Sequence, residues 1–298
     1  MKSTFSFNKL REPLTAYAFL FPSFIGLVVF ILYPLVNSFF LSFQRWDMLS
    51  DMRFIGLRNY QKLFDDTDLH KILGNTGVYT VSVVMITLVL ALAIAILLNQ
   101  KLRGRIIFRT TFFLPVVMSL TAVSAVWLWI YDPEFGLANW LLKLAGLPTS
   151  KWMNSPQSAM TAIIVMMIWQ TLGYNIIIFL AGLTNIRRDL YEAASLDGAG
   201  AWATFWNITL PLLSPTLVFL IITSTIQAFR VFDPIFVMSG GLGGPANSTA
   251  TVVFYLYRQA FYNLDAGYAS AIAFLVVAIA MVFTVLQLYL SRRWVTYE

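Results

Sequence analysis

Six long, mainly apolar stretches without Asp, Glu, Lys or Arg dominate this chain of 298 residues. They occupy positions 13–44, 72–100, 110–131, 152–186, 198–229 and 266–291. An α-helix that rises about 1.5 Å per residue needs about 20 apolar residues to cross a hydrocarbon core of about 30 Å. The strands of a membrane barrel would instead be about 10 residues long and would alternate in polarity. The pattern therefore predicts an all-α polytopic membrane protein with six transmembrane helices.

The first apolar stretch follows Lys2, Lys9 and Arg11, as the apolar region of a secretory signal peptide would. It is about twice as long as the 7–15 apolar residues of a cleavable signal, and no small-residue cleavage pattern follows it. We interpret it as a retained helix, in which Pro22 and Pro34 predict kinks.

Composition agrees with a membrane protein and excludes several kinds of site. Hydrophobic residues make up 59% of the chain and charged residues 11%, whereas soluble domains have about 45–50% and about 25%. The chain has no cysteine, and its single histidine, His70, falls in a predicted polar loop, so we expect no metal site. The net charge of +6 could suit a nucleic acid, but basic residues that border apolar spans are explained by membrane orientation. We expect no nucleic-acid partner.

Lysine and arginine are concentrated on one side of the predicted membrane. They occur in the N-terminus, in the loop at 99–109, after the fourth span and in the C-terminal tail, whereas acidic residues balance those of the loop at 45–71. Cytoplasmic loops are enriched in these residues. Both termini, and the polar connection between spans four and five, are therefore predicted to face the cytoplasm.

That connection includes the polar stretch 191–211. Its start is acidic and helix-prone, and Gly198 and Gly200 predict two short helices joined by a glycine turn. One side of the first helix should carry Glu192, Ser195 and Ala199. The second shows the i, i+3, i+4, i+7 spacing of a helix lying at a membrane interface, in Trp202, Phe205, Trp206 and Thr209.

A sequence motif makes the stretch more specific. Glu192-Ala193-Ala194, Gly198 and the segment Ile208-Thr209-Leu210-Pro211 match EAA-x3-G-x9-I-x-LP without a gap. The chain thereby resembles permease subunits of binding-protein-dependent ABC importers. Further segments are similar to the sugar permeases of the maltose and glycerol-3-phosphate type: FIGLRNY from Phe54, Asn75-Thr76, Phe232-Asp233-Pro234, the segment at 239–261, and GYASA from Gly267. Unlike the maltose permease, the chain has no extra pair of N-terminal spans and no large inserted extracytoplasmic domain.

The resemblance implies a type I ABC importer permease fold and a domain organisation. Residues 1–71 would form an N-terminal cytoplasmic segment, the first transmembrane helix and an extracytoplasmic loop. Residues 72–291 would form the transmembrane core with the cytoplasmic EAA loop at 185–211, and residues 292–298 a cytoplasmic tail. The resemblance also implies that the EAA loop docks into a separate ATPase subunit, through Glu192, Ala193, Ala194, Asp197 and Gly198.

Partners and location follow from the same resemblance. It implies a second permease subunit, two ATPase subunits and an extracytoplasmic solute-binding protein, assembled in the lipid of a bacterial or archaeal cytoplasmic membrane. The chain itself lacks the phosphate-binding pattern GxxxxGK[ST], because no Gly-Lys pair occurs in it, and it shows no catalytic constellation. We therefore expect a non-catalytic subunit without a cofactor, with ATP and Mg bound by the partner ATPase.

Polar residues inside the spans mark candidate positions for a substrate path, because such groups are costly in lipid. The fifth span carries Thr223, Gln227 and Arg230 at i, i+4, i+7, with Asp233 beyond them on the same expected face. The fourth span carries Gln170, Tyr174 and Asn175. Amides and aromatic rings suit a polyhydroxylated ligand. Interhelical hydrogen bonding and an ion pair between Arg230 and Asp233 are the alternatives.

The predicted function is thus that of a permease subunit which forms half of a translocation pathway for a mono-, di- or oligosaccharide. One alternative is the same importer type for glycerol-3-phosphate or another polar organic solute, for which Arg230 could bind an anion. Another is an ion-coupled secondary transporter, which would need coupling-ion groups at the midplane and usually has an internal repeat. The deep polar residues are mostly amides, and no clear repeat is present.

Overall fold

The computed structural model describes residues 8–100 and 104–294. These residues belong to two compact units. The first unit contains the described residues as far as Asp65 together with Gln259–Phe274, and the second contains Asp66–Arg258, apart from the short gap, and the described residues from Leu275 onward.

The first unit begins with a long apolar helix. It consists of α1 (Asn8–Leu27), a π-helical turn (Val28–Leu32) and α2 (Tyr33–Leu41). Pro34 has no N–H, and its ring clashes with the carbonyl of an α-helical turn, so the wider π turn directly before it accommodates the proline. α1 runs through Pro22 without interruption, so the helix is not broken where the sequence predicted a kink at Pro22.

The loop after α2 is ordered by side-chain hydrogen bonds. It contains the antiparallel strands β1 (Gln44–Arg45) and β2 (Arg53–Phe54), followed by α3 (Arg58–Asp65). Between the strands, one carboxylate oxygen of Asp47 accepts hydrogen bonds from the N–H groups of Leu49 and Ser50 and from the Ser50 hydroxyl. The bonds from Ser50 and Leu49 favour the charged form and lower the pKa of Asp47 to about 2.

Two segments that resemble the importer family meet at one backbone carbonyl of this unit. The amide of Asn59, in FIGLRNY, donates to the carbonyls of Ser42 and Gln44 at 2.9 and 2.8 Å. A Cβ at Gly267, in GYASA, would overlap the same Gln44 carbonyl oxygen. Position 267 therefore requires glycine for close backbone approach rather than for an unusual φ.

The second unit begins with α4 (Thr67–Asn99), which starts earlier than the apolar pattern predicted. Asp66 caps it by accepting a hydrogen bond from the N–H of Leu69, and Asp68 lies in its positive first turn. His70, predicted in a polar loop, lies inside this helix. The prediction was wrong because the charged first turns of α4 extend beyond the charge-free stretch.

The third predicted span is two helices rather than one. α5 (Arg105–Val117) and α6 (Leu120–Ile130) are bent by 101° relative to each other. Pro115 cannot donate a backbone hydrogen bond inside α5, and Met118 is extended, so the helix ends there. By length and composition, five helices in the described part of the chain could cross a membrane, and six if this bent pair counts as one span.

The core of the second unit is built around α8 (Ala159–Asn185), which packs against α4 and α5. It follows α7 (Leu137–Leu144) and a 3₁₀ turn (Trp152–Asn154). A Cβ at Gly173 of α8 would overlap the carbonyl oxygen of Phe112 in α5. Small residues of this kind allow helices to approach closely in lipid, where packing has to replace the hydrophobic effect.

The remaining elements follow in chain order. α9 (Arg188–Leu196) is followed by α10 (Ala201–Thr204), a π turn (Phe205–Thr209) and α11 (Leu210–Phe229), and the last three form one continuous helix. The predicted second interfacial helix is therefore the beginning of the fifth span. The last described elements are α12 (Asp233–Met238), a 3₁₀ turn (Pro245–Asn247), α13 (Val252–Tyr257), a π turn (Arg258–Tyr262) and α14 (Ala266–Trp294).

Candidate functional site

The second unit contains a cavity of about 380 Å³. Its walls come from α4, from both sides of the bend between α5 and α6, from α8, and from the end of α11. Sites for small molecules have volumes of about 300–1,000 Å³, so the cavity is of sufficient size for a small solute.

Five of the six predicted substrate-path residues line this cavity: Gln170, Tyr174, Asn175, Gln227 and Arg230. The sixth, Thr223, is not among the lining residues. Its hydroxyl donates at 2.8 Å to the carbonyl of Phe219 one turn earlier, so its one hydrogen-bond donor is used within α11.

The predicted single face of the fifth span is wrong in one respect. α11 ends at Phe229, so Arg230 caps its C-terminus and Asp233 begins α12. Both residues nevertheless line the cavity, because the chain turns between the two helices. No ion pair joins Arg230 to Asp233 in the described part of the chain, so the structure does not support the alternative of a neutralising pair.

Asn175 fits both of the alternatives that the sequence left open, lining of a substrate path and hydrogen bonding between helices. Its side chain is only 3% exposed, and its amide donates to the carbonyl of Thr171 at 2.9 Å. Its oxygen accepts from the hydroxyl of Ser224 on α11, at a longer 3.4 Å. Asn175 thus links α8 to α11 while it lines the cavity. Gln227 is exposed and is the less constrained amide.

Among the lining residues that the sequence interpretation missed, two on α4 carry hydroxyl groups. Tyr79 and Thr87 of α4 both line the cavity and are buried. A spacing of eight residues places them near one face of a helix, and this is the signal that could have identified them. It was inconspicuous because most residues around them are apolar.

The EAA loop, residues 185–211, forms a second site with a defined turn. After α9, the N–H of Gly198 donates to the carbonyl of Ser195, and the N–H of Ala199 donates to the carbonyl of Ala194. These two bonds form a Schellman motif. Gly198 has φ +72° and open space around it, so the turn requires glycine for its left-handed backbone. Ala199 lies beyond the helix, so its predicted place on the helix face is wrong.

The EAA loop presents both polar and apolar side chains on its surface. Glu192, Ala193 and Asp197 are exposed, whereas Ala194 is buried. Leu196, at the end of α9, is 90% exposed, and Trp202 is 74% exposed. Large apolar side chains at such exposure in a polar loop are typical of a surface that contacts another protein.

Two side-chain interactions fix α9 in the loop. The hydroxyls of Tyr191 and Thr209 lie 3.2 Å apart and join α9 to the π turn at the start of the fifth span. At the beginning of α9, the guanidinium of Arg187 donates a hydrogen bond to the carboxylate of Asp189 and forms an ion pair with it. Both interactions hold the pKa of Asp189 below its ordinary value. A carboxylate in the first turn also favours the helix electrostatically.

These features define a class of protein: a polytopic helical membrane protein with a cavity that several polar side chains line and a structured polar loop between its fourth and fifth spans. The family model described as "Binding-protein-dependent transport system inner membrane component" matches residues 101–296. The chain belongs to this family. It is therefore a non-catalytic membrane component of a transport system, as the sequence predicted.

Individual relatives extend over nearly the whole chain. The probable ABC transporter permease YesP of Bacillus subtilis is 37% identical, over 100% of this chain and 96% of its own length. The trehalose/maltose transport system permease MalF of Thermococcus litoralis is 34% identical over 95% and 96%. The lactose transport system permease LacF of Rhizobium radiobacter is 36% identical over 93% and 94%.

A solved structure confirms the fold prediction. A chain in the crystal structure of a bacterial ABC transporter involved in the import of alginate, an acidic polysaccharide, matches with a TM-score of 0.83. The match covers 96% of this chain and 98% of that chain at 22% identity. The chain thus has the all-α fold of an ABC importer permease.

Proposed function

We propose that this chain is a permease subunit of an ATP-driven, binding-protein-dependent importer, and that it forms half of the translocation pathway for a carbohydrate. The cavity carries the proposal, because neutral amides and an aromatic hydroxyl, in Gln170, Tyr174, Asn175 and Gln227, converge on one space. Amides donate and accept hydrogen bonds, as sugar hydroxyls do, and aromatic rings can pack on sugar C–H faces. Relatives named for trehalose/maltose, lactose and arabinooligosaccharide transport support the same substrate class.

The proposed assembly contains a second permease, two ATPase subunits and an extracytoplasmic solute-binding protein. A similar fold occurs in an alginate ABC transporter in complex with a substrate-bound periplasmic protein. In our proposal, Glu192, Ala193, Ala194, Asp197 and Gly198 contact the ATPase from the cytoplasmic side, and both termini lie in the cytoplasm. ATP and Mg are bound by the ATPase partner, and this chain binds no cofactor.

An anionic solute is the second candidate. Arg230 is exposed at the cavity and has no ion-pair partner among the described residues. A relative from Agrobacterium fabrum, 35% identical over 95% of this chain, is named for the transport of sulfoquinovosyl glycerol. Substitution Arg230→Gln distinguishes the candidates, because uptake of an acidic sugar or of glycerol-3-phosphate would fall while uptake of a neutral sugar would persist.

The central test is sugar uptake by the complete complex in proteoliposomes. We expect Gln227→Leu to lower maximal uptake about 5- to 10-fold, because one hydrogen bond worth about 1 kcal/mol is lost while the side-chain size is nearly kept. Basal ATP hydrolysis and subunit retention should remain intact. Thr223→Val on the same helix is the matched control, since Thr223 does not line the cavity. Equal uptake by Gln227→Leu and the control for every sugar transported would refute the assignment of Gln227.

A further inference from the structure

The wall that α4 contributes to the cavity contains two hydroxyl groups without a hydrogen-bond partner. Tyr79 is 0% exposed and Thr87 is 3% exposed, and both line the cavity. Neither the phenol oxygen of Tyr79 nor the hydroxyl of Thr87 is hydrogen-bonded to any described residue. Buried polar groups normally have partners, because leaving one unpaired costs free energy.

Thr87 differs from several other helical threonines of this unit. A threonine inside a helix can donate its hydroxyl to the carbonyl four residues earlier. Thr76, Thr171 and Thr223 do so, at 2.7–2.8 Å. Thr76 additionally accepts from the N–H of Val252 at 3.0 Å. The hydroxyl of Thr87 is therefore not used on its own helix, although a helix offers a carbonyl four residues earlier as an acceptor.

We infer that Tyr79 and Thr87 form a hydroxyl-binding subsite of the cavity, which contacts hydroxyl groups of the transported solute. The inference rests on the proposed function and adds α4 to the walls that recognise the substrate. Each hydroxyl can donate and accept, and neither is charged at neutral pH, so the subsite suits a neutral polyhydroxylated solute. A carboxylate or phosphate would gain no charge-assisted bond from it.

The separation of the two residues limits what a single solute can contact. Eight residues of an α-helix span about 12 Å, which is longer than one pyranose ring. The two hydroxyls would thus contact different parts of a disaccharide or a longer sugar. Hydrogen bonds to the solute that are this far apart and share no partner are expected to be independent. The fold-reductions in uptake caused by removing each one should therefore multiply.

The experiment uses the complete complex in proteoliposomes, with loaded solute-binding protein in saturating amounts so that its affinity does not limit uptake. Radiolabelled glucose, maltose, trehalose and lactose are the probes, and the sugar that the wild type takes up fastest is used for the variants. We expect Tyr79→Phe and Thr87→Val each to lower maximal uptake about fivefold, with little change in ATP hydrolysis, and the double variant to combine both factors.

Matched controls lie on the same helix. Thr80 is 5% exposed and its hydroxyl is also unpaired, but Thr80 does not line the cavity. Thr80→Val should therefore leave uptake unchanged. Thr87→Ser keeps the hydroxyl and should also retain uptake. The inference is overturned if Tyr79→Phe and Thr87→Val behave like Thr80→Val, or if Thr87→Ser loses as much uptake as Thr87→Val.

A second measurement tests the subsite even if Tyr79→Phe or Thr87→Val fails to assemble into the complex. Tyr79→3-fluorotyrosine retains the hydroxyl, and its ¹⁹F resonance in the complex should shift when the transported sugar is added but not when a sugar that is not transported is added. An unchanged resonance would overturn the inference. Failure of the proposed function gives a different result, since the wild-type complex would then take up none of the sugars.

Discussion

Gly173 lies where α8 and α5 approach most closely, and it shows how one missing side chain can decide the packing of two membrane helices. An added Cβ would overlap the carbonyl oxygen of Phe112, which belongs to the backbone and cannot rotate away. Helices in lipid depend on such close contact because burial of apolar surface does not drive their association.

We expect Gly173→Ala to destabilise the chain by about 1–3 kcal/mol, the usual cost of overpacking, because α5 must move away from α8. The measurement is the thermal unfolding midpoint of the purified complex in detergent. Gly77→Ala in α4 is the matched control, since nothing lies within 4 Å of its added Cβ. Alanine also favours a helix over glycine, so the control should keep or raise the midpoint. Equal midpoints for both variants would contradict the packing argument.

At the scale of elements, α9 and its Schellman turn present exposed side chains on a hydrogen-bonded backbone. Glu192 is exposed, whereas Gly198 holds a left-handed backbone. We expect Glu192→Lys and Gly198→Asp to insert normally into the membrane and to impair docking of the ATPase. A like-charge contact or an unpaired partner in such an interface can cost several kcal/mol.

Two measurements test this effect. One is retention of the ATPase subunits during purification, and the other is ATP hydrolysis stimulated by loaded binding protein. Both should fall at least about tenfold for Glu192→Lys, which corresponds to a loss of about 1.4 kcal/mol or more. Glu134→Lys is the control, because Glu134 is also exposed but lies in a loop outside the EAA region. Full retention and full stimulation in the double variant Glu192→Lys, Gly198→Asp would disprove the coupling role of the loop.

The hydroxyls of Tyr191 and Thr209 lie within hydrogen-bond distance and join α9 to the beginning of the fifth span. In our proposal, movement of the docked α9 reaches that span through this bond. We expect Tyr191→Phe to keep the ATPase subunits bound but to lower the number of sugar molecules taken up per ATP about two- to fivefold, because one hydrogen bond of about 1 kcal/mol is lost. Thr209→Val should have the same effect, whereas Thr209→Ser should not. A wild-type ratio in Tyr191→Phe would show that the bond does not transmit the movement.

At the scale of the whole molecule, the distribution of basic residues predicts one orientation in the membrane. The chain has no cysteine, so single introduced thiols report their side of the membrane without background. In spheroplasts, an impermeant maleimide should label Glu134→Cys, and it should label Ser195→Cys only after lysis. Both positions are exposed, so burial does not confound the comparison. Labelling of Ser195→Cys in intact spheroplasts would contradict the predicted orientation.

Much of the fold was predictable because a membrane restricts the choices of the backbone. Every buried N–H and C=O must be satisfied within the chain, so a long apolar stretch becomes a helix almost regardless of its neighbours. The EAA loop was predictable for a local reason as well, since Gly198 terminates α9 through its own backbone conformation. Those local requirements are present in the sequence and need no tertiary contact.

The cavity was only partly predictable, because it depends on which faces of apolar helices turn toward each other. Lipid-facing and helix-facing surfaces are both apolar, so the periodicity of α4 did not indicate that Tyr79 and Thr87 line a common space. The bend between α5 and α6 and the end of α11 at Phe229 were likewise hidden inside charge-free stretches. The sequence by itself determined most of the long apolar helices, the family and the EAA turn, through the length and polarity of its stretches, the EAA motif and glycine. Only the tertiary structure decided which side chains meet, because α4, α5, α6, α8 and α11 must pack together before their polar groups share one cavity.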